Sequence, residues 1–283
     1  MTLQALDRTL SLGYSPCPND TFVFYALVHG QIDTAGLGFK EMLLEVESLN
    51  QKALKSELDI TKVSFHAFGY LRDAYCLLRA GGAMGRGCGP LVVAKRETSI
   101  EGLRGKKIAI PGRLTTAFLL LQLYDPALVA DVVAVPFDRI MDAVKGGSVD
   151  AGLIIHESRF TYPDYGLFEV MDLGSWWEGD TGLPLPLGCI IAKKGLGSDI
   201  LQTLETLIRK SVEYAFAHRE RTMEYLKAHS QEMEDTVLEQ HINLYVNDYS
   251  LDLGSEGMAA VEELLKRAES HGIVPGGRNA ALR

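Results

Sequence analysis

The chain has 283 residues, 47% of them hydrophobic and 23% charged, and carries a formal net charge of −9 at pH 7. Such a balance excludes intrinsic disorder and collagen-like sequence, and an acidic chain offers no electrostatic footprint for nucleic acid. The length suits two domains of roughly 100–200 residues each, and a small anionic ligand stays compatible because a few local cations outweigh distant charge.

The amino terminus reads MTLQALDRTLSLGYSPCPND, where Asp7 and Arg8 interrupt the apolar run that an export signal needs, so a cytoplasmic protein is expected. Residues 9–14 read as a strand. Ser15-Pro-Cys-Pro-Asn-Asp then turns into a helix with Phe22, Tyr25, Ala26 and Val28 on one face and a stop at Gly30. Val46, Leu49, Ala53 and Leu54 form the stripe of a second helix, and residues 59–63 a short strand that delivers Ser64 to the next turn. Residues 74–79 and 90–95 read as strands joined by the glycine-rich AGGAMGRGCG.

A second βα region follows. It comprises a strand near Ile108, a helix over residues 117–124 opened by Thr115, a strand at 131–136, a helix capped by Asp138, and a strand at 149–155 that ends in His156. Residues 167–172 add another strand, WWEGDTGLPLPLG is read as a loop, and residues 189–193 as the return crossing. From Gly197 onward the chain is helical, with Leu201, Leu204, Ile208 and Val212 on one stripe. No apolar run approaches the ~18 residues of a membrane span, so no membrane partner is expected.

Alternating strands and helices make an α/β protein, and a segment that leaves one lobe near residue 94 and returns near 189 makes a clamp of two lobes. Residues 1–93 plus 190–283 form the expected lobe 1, and residues 94–189 the inserted lobe 2. In open α/β sheets the ligand crevice lies beyond the carboxyl ends of the strands. The residues there are Ser15 to Asp20, Ser64, Thr115 and Thr116, and His156 with Glu157.

Several chemistries are excluded by their missing motifs: there is no G-x-S-x-G, no G-x-x-x-x-G-K-[ST] and no H-E-x-x-H. Gly85-Arg-Gly-Cys-Gly-Pro has Pro90 where a dinucleotide fingerprint needs its last glycine, and it precedes a strand. Cys17, Cys76, Cys88 and Cys189 form no C-x-x-C pair, so no structural zinc is expected.

Asn19 and Asp20 stand at a helix start, where plain N-capping competes with a ligand role; Pro16 and Pro18 stiffen the turn and favour the latter. Lys62, Val63 and Ser64 close one strand, and Thr115 and Thr116 open a helix in the other lobe, a pairing of helix starts suited to a carboxylate or phosphate. His156 is the candidate general base, since imidazole titrates near neutrality. His66 sits inside a helix start and reads as packing, while His29, His218, His229, His241 and His271 read as surface or helix-end residues. Arg86, Arg113 and Arg159 stand in loops where each is able to fork onto a carboxylate. Trp176 and Trp177 fit equally a cover for a ring-containing ligand or a hydrophobic clasp.

The blocks GYSPCPNDTFVFYALVHG, TKVS, GRGCGPLVVAKR, PGRLTTAF, VDAGLIIHESRFTYPDYGL and TGLPLPLG together resemble the 1,4-dihydroxy-6-naphthoate synthase family of the futalosine route to menaquinone. The resemblance runs from about Leu10 into the helical carboxy-terminal region. It implies a type II periplasmic-binding-protein-like fold, with two crossover segments and a ligand cleft between the lobes. It also implies a cytoplasmic enzyme acting on cyclic dehypoxanthine futalosine, for which our own expectation is a carbon–carbon lyase reaction with no cofactor and no metal. His156 would be the proton acceptor, with substrate contacts at Lys62, Val63, Ser64, Thr115 and Thr116. Our own reading of the residues adds Asn19, Asp20 and Arg86 to the contacts and sets Glu157 beside them.

Two rivals share this fold: a non-catalytic binding protein for a small carboxylate, and a sibling enzyme resembling chorismate dehydratase. The SPCPNDTF and IIHESRF blocks fit the naphthoate synthases better.

Overall fold

A computed structural model describes residues 8–229 and 234–276 of the chain. β1 (Arg8–Tyr14) forms where Leu10, Leu12 and Tyr14 alternate into the core, and α1 (Pro18–Val28) begins at once with proline in its first turn. The expected one-faced helix is instead buried nearly all round, with Val23, Phe24 and Leu27 inside beside Phe22 and Ala26, because carboxy-terminal helices cover its outer side. Gly30 ends it with φ of 62°.

β2 (Leu37–Leu43) was not foreseen. Only Leu37 of its residues is buried, so the strand carries no alternating apolar signal and is held by its parallel ladder on β1. α2 (Val46–Leu54) and the wholly buried β3 (Ile60–Ser64) follow as read, then α3 (Phe65–Leu71), β4 (Tyr75–Leu77) and β5 (Ala83–Gly85). The next run is β6 (Leu91–Ala94), β7 (Ile108–Ile110), α4 (Thr116–Tyr124), β8 (Val132–Ala134), α5 (Ile140–Gly146) and β9 (Ala151–Ile154). Thr115 caps α4 as expected, its hydroxyl accepting from the Phe118 amide at 3.2 Å. Asp138 does not cap α5: it lies within a 3-10 turn, Phe137–Arg139, ahead of the helix.

α6 (Ser158–Thr161) and β10 (Phe168–Asp172) lead to α7 (Leu173–Thr181), which corrects the loop expected at the tryptophans. Asp172 nucleates this helix by accepting from the Gly174 and Ser175 amides at 2.8 and 3.0 Å, and Gly182 in the left-handed region stops it. β11 (Leu185–Lys193) precedes α8 (Ser198–Ala217), α9 (Arg219–His229), α10 (Asp235–Tyr245), α11 (Asp248–Leu251) and α12 (Gly254–Ser270).

Among the described residues the strands form two sheets. One runs β2-β1-β3-β11-β4 with β5 also on β11, and the other runs β10-β6-β9-β7-β8. Both crossings fall earlier than the sequence suggested. Leu91–Ala94 pairs with β9 and β10 in the second sheet, and Leu185 already pairs with Gly85 in the first. Hydrogen bonding to the partner strand, rather than local composition, sets these switch points. The first crossing passes backbone to backbone against the start of α7: a Cβ on Gly174 would lie 1.9 Å from the Cys88 carbonyl oxygen, so only glycine fits there.

Candidate active site

The carboxyl ends of β1, β3, β7 and β9 converge on one cleft. Asn19, Asp20, Lys62, Val63, Ser64, Thr115, Thr116 and His156 all line it, whereas Arg86 does not. Arg86 instead reaches outward, at 2.8 Å from Glu256 and 4.0 Å from Glu178, with 44% of its side chain exposed. Its glycine-rich surroundings imitate a ligand loop, but they carry the chain past the cleft and present the guanidinium to surface carboxylates.

Asp20 is the centre of the first-sheet wall. Its Oδ2 accepts from the Ser15 amide and hydroxyl at 3.1 and 2.8 Å, and its Oδ1 accepts from Asn19 Nδ2 at 2.8 Å and Lys62 Nζ at 2.6 Å. Lys62 and Asp20 keep only 5% and 3% of their side chains exposed, so the charges are buried as a pair, and Ser15 and Asn19 add further donors to the carboxylate. Ser64 is braced by Asn50, which accepts from its amide at 2.9 Å and donates to its hydroxyl at 3.3 Å.

The facing wall is the start of α4. Thr115 Oγ1 donates to the Gly112 carbonyl at 2.8 Å and Thr116 Oγ1 to the Leu187 carbonyl at 2.6 Å, so both hydroxyls are engaged. Helix geometry leaves the first-turn amides without intrahelical acceptors, and Thr116 and Ala117 border the cleft. Two contacts tie this wall across: Glu47 on α2 accepts from the Leu114 amide at 3.1 Å, and His66 Nδ1 donates to the Thr115 carbonyl at 3.2 Å. Burial holds the His66 imidazole down at about 4, the carbonyl pulling it partly back. His66 is therefore a neutral strut, consistent with its reading as a packing residue.

His156 follows β9 with φ of 57°, a left-handed conformation that is costly for a residue with a side chain and recurs at functional sites. Its ring lies 5.1 Å from the Phe137 ring, and its Nε2 is 3.9 Å from Cys17 Sγ. Burial lowers the imidazole from its usual 6.5 to about 4; Asp20 pulls it up and Lys62 pushes it down. At neutral pH it is uncharged, the form that accepts a proton. Burial, with Glu157 second, pushes the Cys17 thiol well up, so this sulfur is a neutral neighbour and not a thiolate nucleophile.

Two residues escaped the sequence reading. Tyr245 borders the cleft, and His241, expected at the surface, is fully buried. His241 Nε2 is 3.0 Å from Asn19 Oδ1, its Nδ1 is 4.0 Å from Glu157, and its ring is parallel to that of His156 at 6.1 Å. The available signal was the spacing Leu238, His241, Ile242, Tyr245, the i, i+3, i+4, i+7 pattern of a buried helical face. Glu157 thus stands toward His241 Nδ1. Arg159 is spent on Asp172 at 2.6 Å and on the Gly89 carbonyl at 3.0 Å, while Arg113 stands on an exposed turn. Trp177 is a fully buried core residue bonded to the Pro184 carbonyl at 3.0 Å, and Trp176 packs edge-on against Tyr124. Neither tryptophan borders the cleft.

The described residues hold no cluster of three or more His, Cys, Asp or Glu arranged for a metal ion, and no helix long and apolar enough to cross a membrane. A family model described as menaquinone biosynthesis matches residues 10–270. The chain belongs to this menaquinone-biosynthesis family. It is 52% identical over 266 residues to a Thermus thermophilus protein, covering 94% of this chain and 96% of that one, and 47% identical over 271 residues to a Streptomyces coelicolor protein, covering 94% and 95%. Both relatives are named 1,4-dihydroxy-6-naphthoate synthase.

A crystal structure of an Archaeoglobus fulgidus protein superposes with a TM-score of 0.88 at 39% identity, covering 94% of this chain and 98% of that one. A Candida albicans protein described as having the generic periplasmic binding protein fold gives a TM-score of 0.70 at 13% identity, covering 96% and 92%. At that identity it speaks for the fold alone. The α/β periplasmic-binding-protein-like architecture expected from the sequence is thereby borne out for this family member.

Proposed function

We propose that this chain forms 1,4-dihydroxy-6-naphthoate from cyclic dehypoxanthine futalosine, with His156 as the general base, as a carbon–carbon lyase of menaquinone biosynthesis. The observation that carries the reading is the neutral, left-handed His156 at a strand end, facing a cleft whose opposite wall is a helix start. Family membership and the shared name of the two curated relatives support the same reaction.

The chemistry follows from what each wall offers. The carboxylate of the substrate lies against the first-turn amides of α4 at Thr116 and Ala117, where unpaired N–H groups and the helix dipole favour an anion. Lys62 is already neutralised by Asp20, so together with Val63 and Ser64 it orients the neutral, sugar-derived part and does not capture the anion. His156 takes a proton from a hydroxyl of that part; the carbon–carbon bond to the bicyclic ring system then breaks, the sugar-derived fragment leaves as a carbonyl compound, the bonding pair passes to the bicycle, and the proton is returned as the bicycle aromatises. This sequence calls for no oxidant. The two sheets, with their helices, act as two lobes that close on the substrate, exclude water and hold the reacting atoms in line with His156.

The test is conversion of cyclic dehypoxanthine futalosine by the purified protein, followed by chromatography for dihydroxynaphthoate. The expected result is stoichiometric product. Tight binding without product would instead support the binding-protein reading, and loss of water from chorismate the sibling enzyme.

A further inference from the structure

His241 lies outside the cleft lining and no comparison draws attention to it, yet it is joined to both halves of the site. It sits on α10, whose packing against α1 and β5 places it with the first sheet, while His156 ends a strand of the second. Its tautomer is fixed by its neighbours. A carboxylate only accepts, so Asn19 must present Nδ2 to Asp20 Oδ1, which leaves Asn19 Oδ1 facing His241 at 3.0 Å. His241 therefore donates from Nε2, and in its neutral form Nδ1 is bare toward Glu157 at 4.0 Å. The donors run in one direction, from His241 to Asn19 to Asp20, where Lys62 also ends.

His156 is held far more lightly. Its backbone is in the left-handed region, and among the described residues its ring has only the Cys17 sulfur within hydrogen-bonding range. What confines the imidazole is packing: Phe137 on one side and, on another, the parallel ring of His241 with an interplanar angle of 3°. Cys17 and His241 both come from the first-sheet side, so the pocket around the base is complete only when the two sides meet.

We propose that His241 is a positioning residue for the reaction: as an Nε2–H donor it locks Asn19 against Asp20, and its ring forms the wall that holds His156 in its reactive orientation. This rests on the reading of His156 as the base. A displacement of the base by about 1 Å costs on the order of 100-fold in rate, so loss of the donor and wall should be felt in kcat. Substrate binding, which falls to other groups, should change little.

The test compares His241→Phe and His241→Gln with wild type, using steady-state kinetics and nitrogen-15 imidazole shifts of the wild-type protein. Gln places an amide N–H near the position of Nε2, whereas Phe keeps a ring and removes the donor. Expected are an Nε2–H tautomer for His241, a kcat about 10–100-fold lower in His241→Phe with KM within about 3-fold, and recovery of only part of that loss in His241→Gln, which restores the donor but not the ring. Wild-type kcat in His241→Phe, equal losses in both variants, or an Nδ1–H tautomer would each overturn the proposal. If the wild type itself makes no product, the proposed reaction fails, and the imidazole shifts still decide the arrangement of His241 without reference to activity.

Discussion

On the first-sheet side of the cleft, Asp20 accepts from Ser15, Asn19 and Lys62, and Asn19 accepts from His241, so both oxygens of the buried carboxylate are engaged within the protein. On the second-sheet side, His156 stands in a strained backbone conformation with a thiol 3.9 Å from its ring, beside helix amides that lack intrahelical acceptors. One wall is cross-bonded around Asp20, and the other keeps its bonding capacity for the substrate. A connected polar network specifies a geometry, whereas unspent donors and a neutral imidazole are what differential binding of a transition state requires.

The sharpest way to break the cross-bonded wall is to remove one member of its buried ion pair. Lys62→Met leaves Asp20 as an uncompensated buried carboxylate, and urea unfolding should register a loss of about 3–5 kcal/mol. Adding Asp20→Asn should return a substantial part of that loss; an unchanged midpoint in the single variant would contradict the pairing.

Acid probes the contact between the walls. His66 and His156 are both held near 4 in the folded protein and titrate near 6.5 when unfolded, so between these values the unfolded chain binds more protons. Stability should therefore be full above pH 6.5 and fall as pH drops toward 4, by on the order of 2–3 kcal/mol for the deeply buried His66. Unfolding measured at pH 7 and pH 4.5 checks the direction, and His66→Gln should shrink the difference.

A smaller effect is expected at the latch between the walls. Glu47→Gln keeps the shape but weakens a charge-assisted bond to the Leu114 amide, which should raise KM by a few-fold, about 1 kcal/mol, with kcat little changed. Arg86→Ala should do least. Its close partner, Glu256, is an exposed carboxylate, so stability should move by no more than about 0.5–1 kcal/mol and KM should stay at the wild-type value.

Much of this site was legible because the chain delivers it at strand ends. Asn19 and Asp20 follow β1, Lys62 to Ser64 close β3, and His156 follows the apolar run of β9, so hydrophobic runs alone mark where polar groups must emerge. What stayed hidden had no local signature. β2 is defined by its ladder on β1 and buries almost nothing of its own, and α7 depends on Asp172 capping a stretch whose two tryptophans and glycines do not advertise a helix. His241 meets Asn19 across 222 positions of sequence, a distance at which only tertiary packing speaks. Arg86 failed in the opposite sense, since its glycine-rich neighbourhood resembles a ligand loop while the folded chain turns it away.

The most direct test of His156 as the base is turnover of cyclic dehypoxanthine futalosine by His156→Ala, measured with and without added imidazole. The account predicts a loss of at least ~10²–10⁴-fold, the usual worth of a general base, with partial recovery when imidazole occupies the space that the substitution opens. Turnover of the variant at close to the wild-type rate would contradict it.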